Sequence, residues 1–230
     1  MISQYLDATL LNPDARLDEY DACVTAAVNE YCRGLVVPTS IIADKEVNIQ
    51  DIRSRYPDLK ISTVIGYPLG NESVDDKCRI MHAYQHLVDE FDVVLNLAYI
   101  KSNYQEKTWA ELQALCEWNK YRYKLKVIIE TPLLTHEEII ETTNLLIKAH
   151  VELGRIIYIK TATGRHGVTK ESDAANIRFV LGDRFPNLGI KVSGGIRTIA
   201  DVKKFDVHGV QVYGVSYPHF VNLIKEARES

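Results

Sequence analysis

Residues 156–167 read IIYIKTATGRHG, and residues 189–198 read GIKVSGGIRT. Each stretch starts as a short apolar strand, carries a lysine at or near the strand end, and runs into a small, glycine-containing loop. A lysine among β-branched and aromatic residues is unusual, because burying an ammonium is costly unless it is paired or neutralised. Taken alone, Lys160 also fits an outward-pointing place on an edge strand. Two such lysines, Lys160 and Lys191, each followed by a glycine loop, instead point to a pair of amines facing one pocket.

Working outward, the same strand-and-helix unit repeats along the chain. Apolar strands are expected at Gln4–Leu10, Gly34–Pro38, Ile61–Pro68, Phe91–Ala98, Leu125–Thr131, Arg155–Thr161, Leu188–Ser193 and Val210–Ser216. Helical spacing is expected between them, at Leu17–Tyr31, Ile42–Tyr56, Val74–Val88, Tyr104–Tyr121, Thr135–Ala149, Ser172–Leu181, Thr198–Phe205 and Pro218–Ala227. Thr135 with Glu138, and Thr198 with Asp201, have the spacing of capping boxes. Near-continuous Val/Ile/Leu strands are the pattern of a parallel sheet covered on its outer face. The expected fold is therefore α/β: one eight-stranded parallel TIM barrel spanning residues 1–230 as a single domain, with its site at the carboxyl ends of the strands. A doubly wound open sheet lacks support, since no strand leads into G-x-G-x-x-G.

Composition sets the outer limits. A net charge of −4 argues against a nucleic-acid surface. No apolar run approaches the roughly 20 residues that cross a bilayer, and MISQYLDATLLNPDA has no signal-peptide core. Cys23, Cys32, Cys78 and Cys116 are scattered without metal-site or disulfide spacing. A cytoplasmic protein with reduced thiols is the expectation.

Strand parity then sorts the polar residues. Asp92 and Asn96 share one face of their strand. Glu130 falls with Ile128, opposite Val127 and Ile129. Lys160 opposes Ile157 and Ile159, and Lys191 opposes Ile190 and Val192. The mixed face is expected to look into the barrel, which places Asp92, Glu130, Lys160 and Lys191 inside, near the top. One reading makes the carboxylates structural partners that neutralise buried lysines. The chemical reading starts from the free lysine pKa of about 10.4. Two ammoniums about 4 Å apart repel by roughly 4 kcal/mol at an effective dielectric near 20, enough to bring one toward neutrality. One lysine would then be a nucleophile, the other its electrostatic activator, and a carboxylate such as Asp92 the proton shuttle. That constellation suits Schiff-base chemistry on a carbonyl. Thr163-Gly164-Arg165, Gly194-Gly195 and Gly214-Val215-Ser216 are read as loops that follow the last three strands, where barrels often bind a phosphate; as simple turns they would also need glycine.

These segments resemble the deoxyribose-phosphate aldolase family along nearly the whole chain and in order. The resemblance rests on YLDATLLNPDA, TVIGYPLGN, DEFDVVLNLAYIKS, KVIIET, YIKTATGR and IKVSGGIRT. It implies a class I aldolase, a carbon–carbon lyase that reversibly cleaves 2-deoxy-D-ribose 5-phosphate to glyceraldehyde 3-phosphate and acetaldehyde. Lys160 would be the Schiff-base lysine, Lys191 the lysine that depresses its pKa, and Asp92 the proton-transfer acid. Thr163, Gly164, Arg165, Gly194, Gly195, Gly214 and Ser216 would line the sugar-phosphate site, with Asp7 and Thr9 near the substrate hydroxyls. No metal or organic cofactor is implied. The implied partner is a small phosphosugar rather than nucleic acid or membrane, a homodimer is compatible with it, and the implied setting is deoxyribonucleotide catabolism. Ala8 stands where the family often has histidine, Leu35 where cysteine is common, and Tyr217 where many members carry a second serine. A related aldolase acting on another phosphosugar, and a non-catalytic sugar-phosphate-binding barrel, are the alternative readings.

Overall fold

The computed structural model describes residues 1–118 and 123–229. Its centre is a closed barrel in which every strand pairs in parallel with the next and the eighth pairs with the first. The strands are β1 (Leu6–Thr9), β2 (Gly34–Val37), β3 (Lys60–Ile65), β4 (Glu90–Val94), β5 (Lys124–Ile128), β6 (Ile156–Lys160), β7 (Gly189–Ser193) and β8 (Val212–Ser216). Helices such as Leu17–Asn29, Val74–Tyr84, His136–Leu153 and Glu171–Leu181 fill the connections. The outward-facing strand residues, among them Ile61, Val93, Val127, Ile159, Ile190 and Val192, pack against those helices at 0–1% exposure. Each side chain so buried contributes about 1.5–3 kcal/mol relative to exposure. Parity and burial thus act together: the apolar face makes the strand-to-helix core, leaving the other face for the barrel interior.

Both expected capping boxes form. Glu138 N–H donates to Thr135 Oγ1 at 3.2 Å and Thr135 N–H to Glu138 Oε2 at 2.7 Å. Thr198 and Asp201 make the equivalent pair at 3.2 and 3.0 Å. Two expectations are corrected. The helix expected over Ile42–Tyr56 is two pieces, Thr39–Ile42 and Ile49–Arg55. Asp44 Oδ1 accepts from Glu46 and Val47 N–H at 2.8 and 3.0 Å, and Asn48 takes a left-handed φ of 49°. This side-chain turn competes with the helical ladder. The strand expected over Phe91–Ala98 stops at Val94, because Asn96 Oδ1 accepts from Ala98 N–H at 3.0 Å and opens a short helix, Leu97–Lys101. The helix expected to reach Tyr121 spans Gln105–Trp118, and its expected end lies outside the described residues.

Candidate active site

The barrel interior is built in layers contributed by alternate strands, as closed eight-stranded barrels are. The odd strands supply Asp7, Ser62, Lys126 and Lys191. Lys126 Nζ lies 3.0 Å from Asp7 Oδ2 and 3.0 Å from Ser62 Oγ, and Lys191 Nζ lies 2.5 Å from Asp7 Oδ2. Above them, β4 and β6 supply Asp92 and Lys160, joined at 2.6 Å through Asp92 Oδ2. The same oxygen accepts from Lys191 at 2.8 Å. Lys126 sits 2.8 Å from Asp92 Oδ1, as an ion pair that is not aligned as a hydrogen bond. Below, Glu90 lies 3.0 Å from Lys126 and 2.7 Å from Arg33, whose other nitrogen reaches Asp7 Oδ1 at 2.7 Å. The Arg33 guanidinium covers the Tyr158 ring at 5.3 Å and closes the lower end.

Three carboxylates (Asp7, Glu90 and Asp92) therefore share this space with four cations (Arg33, Lys126, Lys160 and Lys191). With all groups ionised, the cluster has one positive charge to spare. Burial alone would raise the Asp92 carboxyl, but Lys126, Lys160 and Lys191 outweigh it and hold it far below the usual carboxylate range. Asp7 is lowered likewise, by Lys126, Lys191 and Arg33 against burial. Lys126 goes up: burial pulls it down, and Asp7, Asp92 and Glu90 more than compensate. Lys191 goes the other way. Burial is the leading cause, Lys126 and Lys160 add to it, and against Asp7 and Asp92 they bring the amine down to about 8. The spare charge thus resides on an amine that releases its proton near neutral pH.

A cavity of about 180 Å³ opens above this cluster at the carboxyl ends of the strands. Of the buried lysines among the described residues, Lys160 alone lines it; Lys191, Lys126 and Asp92 form the layers beneath its floor. Thr9, Thr163, Gly164, Arg165, Gly194, Gly195, Gly214 and Ser216 also line it. Asp7 does not. It is fully buried below Thr9 on the same strand and serves the lysines, because two residues of strand separate it from the cavity. Gly194 and Gly195 have φ of 91° and 89°, a left-handed backbone that other residues rarely adopt. This conformation lets the loop after β7 run close under Gly164 and Gly167. Arg165 is held across the mouth: Nε donates to Tyr67 Oη at 2.9 Å and Nη2 to the Leu11 carbonyl at 2.7 Å. Tyr217 turns away from the cavity and packs its ring 5.9 Å from that of Phe220.

Glu130 is placed differently from the sequence expectation. It lies beyond the end of β5, in a left-handed conformation with φ of 57°. Its two oxygens accept from Thr163 N–H at 3.2 Å, and His166 stands 3.5 Å away. It therefore fixes the loop after β6 rather than neutralising the lysines. Three charged residues of the cluster were not singled out by the sequence reading: Lys126, Glu90 and Arg33. Lys126 has the parity of Ile128 and Glu130, which was the available signal. Arg197, in the quoted GGIRT segment, is a further cation lining the cavity. A second buried pair, Lys77 and Glu111 at 2.6 Å, ties the top of β4 to the loop after β3, since Lys77 Nζ also donates to the Val94 and Gly70 carbonyls. A larger hollow of about 710 Å³ lies at the opposite end, lined by Arg53, Lys60, His86, Asp89 and Glu90 among others. Among the described residues it is lined by no buried amine, and barrel chemistry sits at the other face. Among the described residues no cluster of His, Cys, Asp and Glu suits a metal ion, and no helix is long and apolar enough to cross a membrane.

No protein-family model matches the chain. The deoxyribose-phosphate aldolase of Halalkalibacterium halodurans is 34% identical over 219 residues, covering 94% of this chain and 92% of that protein. The chain belongs to the deoxyribose-phosphate aldolase family. A solved structure of a putative deoxyribose-phosphate aldolase from Coccidioides immitis superposes with a TM-score of 0.87 at 25% identity, over 99% of this chain and 85% of that one. The tetrameric deoxyribose phosphate aldolase of Aeropyrum pernix shares the fold, with a TM-score of 0.82 at 22% identity over 99% and 91% of the two chains. As an aldolase of this family the chain is a carbon–carbon lyase, and the cavity lined by Lys160 is its candidate active site.

Proposed function

We propose that the chain cleaves 2-deoxy-D-ribose 5-phosphate through an imine on Lys160, and runs the reverse condensation at the same site. The observation that carries this reading is that Lys160 alone among the buried lysines lines the cavity, while sharing one Asp92 oxygen with an amine brought down to about 8. A neutral Lys191 accepts the Lys160 proton across Asp92, and the freed Lys160 amine attacks C1 of the open-chain sugar. The returning proton leaves with the carbinolamine hydroxyl as water, giving the iminium. The relay then takes the C3 hydroxyl proton, the C2–C3 bond breaks, and its electron pair moves into the iminium to give the enamine. Glyceraldehyde 3-phosphate departs, C2 of the enamine takes the proton back, and water releases acetaldehyde. In this cycle Lys191 carries the proton. Asp92, held ionised by its neighbours, is the fixed anion over which the proton passes and which stabilises the cationic iminium.

The far end of the sugar carries the phosphate. Thr163, Gly164, Arg165, Gly194, Gly195, Arg197, Gly214 and Ser216 line the cavity, and in this reading the phosphate lies among them. Binding energy from that remote group holds the reacting carbon against Lys160. Cleavage of 2-deoxyribose 5-phosphate, followed by acetaldehyde formation, tests the function. Unphosphorylated 2-deoxyribose is expected to show kcat/KM lower by about 100-fold or more. Equal values for the two sugars would remove the phosphate site and with it this substrate. The same reading assigns the enzyme to the breakdown of deoxyribonucleotides in the cytoplasm, where its sugar phosphate remains once the base has been removed.

Asp92→Asn keeps the shape but removes the anion shared by three ammoniums. Turnover is expected to fall by about 100-fold or more, the range of proton-transfer groups. Steady-state cleavage rates check this, and a variant with unchanged rates would take Asp92 out of the mechanism.

A further inference from the structure

Ser193 ends β7 two residues beyond Lys191, on the same interior face. It is 6% exposed and lines the cavity together with Lys160. Among the described residues, it is the one hydroxyl whose buried oxygen has no hydrogen-bond partner. Its neighbours are bonded: Thr161 and Thr169 hydroxyls pair at 2.9 Å, and Thr169 Oγ1 donates to the Ser193 carbonyl at 2.5 Å. The Ser193 N–H donates to Thr161 Oγ1 at 3.1 Å. The side chain alone is left over. It is kept in place by Gly214, where a Cβ would come within 2.3 Å of Ser193 Oγ and 3.3 Å of Lys191 Cε. Buried hydroxyls are normally satisfied, so an orphan in the wall of a cavity points to a ligand group that satisfies it.

We propose that Ser193 Oγ donates a hydrogen bond to the C4 hydroxyl of the bound sugar, and so selects the acceptor aldehyde that carries this hydroxyl. The assignment rests on the imine reading above and goes beyond it. With C1 on Lys160 and the phosphate at Gly194-Gly195, the carbon chain must pass Ser193. Ser193 lies two residues past Lys191, the register partner of Lys160, about 6.6 Å along the strand and within hydrogen-bond reach of a hydroxyl on the fourth carbon of a chain held at Lys160. The C3 hydroxyl is nearer the floor, beneath which Asp92 and the proton relay lie. A site built to hydrogen-bond a hydroxyl discriminates against the analogue that lacks it, because its own polar group is then left unpaired.

The test is condensation of acetaldehyde with two acceptors, D-glyceraldehyde 3-phosphate and 3-oxopropyl phosphate, which lacks the hydroxyl that becomes C4. The wild type is expected to favour the first. Ser193→Ala is expected to lose about tenfold or more in kcat/KM with glyceraldehyde 3-phosphate and at most about twofold with the deoxy acceptor. Thermal unfolding of this variant is expected to match the wild type, because Oγ has no partner in the free protein. Equal losses with both acceptors, an unchanged preference, or a lowered unfolding temperature that accounts for the loss would overturn the assignment. A wild type that condenses neither acceptor would overturn the imine reading itself, whereas condensation with an unaltered ratio in the variant overturns only the role of Ser193.

Discussion

Lys160→Met is expected to lower aldol cleavage by about four orders of magnitude or more, since among the described residues no other amine lines the cavity and removing a covalent nucleophile removes the pathway rather than one interaction in it. The fold should survive. Lys160 makes one ion pair, to Asp92, which keeps Lys191 and Lys126 as partners. Removing one partner of a buried ion pair destabilises by leaving a charge uncompensated, and the two lysines that remain on Asp92 limit that cost here. Single-turnover cleavage beside a denaturant titration separates the two effects. A variant that retains cleavage within tenfold would mean that the carbonyl is attacked elsewhere.

Lys126→Met is expected to have the largest effect on stability, about 3–5 kcal/mol, because it strips one partner from a buried cluster and leaves Asp7, Asp92 and Glu90 short of a cation. The sign of the pH dependence follows from the shifts. The folded Lys126 value lies above the unfolded one of about 10.4, so its contribution is full below that pH and is lost only as pH rises through the folded value. Asp7 and Asp92 are lowered, so theirs is full above about 3.9 and is lost as pH falls. At neutral pH all three are in force, and a denaturant midpoint there reads the loss directly. The same variant should also move the activity profile. Without Lys126 the cluster has as many carboxylates as cations, the spare charge is gone, and Lys191 holds its proton more tightly. The acid limb of kcat/KM, expected near pH 8 in the wild type, should shift to higher pH. A shift to lower pH would contradict the electrostatic account of the relay.

Much of this architecture is legible in the chain. The Val/Ile/Leu runs fix the strands, and alternation brings Asp92, Lys160 and Lys191 to one interior. The lower half of the cluster is harder to read, for a reason of geometry. Lys126 follows the exposed Lys124 on the same face of a short strand, where a long lysine side chain can ordinarily reach solvent. Its burial depends on the register that sets it opposite Asp92 and on the shear that brings it level with Asp7 and Lys191. Neither is a property of one strand. Arg33 precedes β2 and enters the barrel only because its side chain is long enough to reach back under it. Glu130 fails for the opposite reason: parity holds only while the strand continues, and the backbone turns left-handed at that residue. Register also explains Asp7, which sits two residues below Thr9 and therefore one repeat beneath the cavity.

The most direct test of the account is reduction with borohydride in the presence of acetaldehyde, followed by peptide mass mapping. The expected result is a two-carbon adduct on Lys160, absent from Lys160→Met and not transferred to Lys191 or Lys126. An adduct on Lys191, or none on any lysine of the barrel, would contradict the assignment of the cavity-lining member of the pair as the nucleophile.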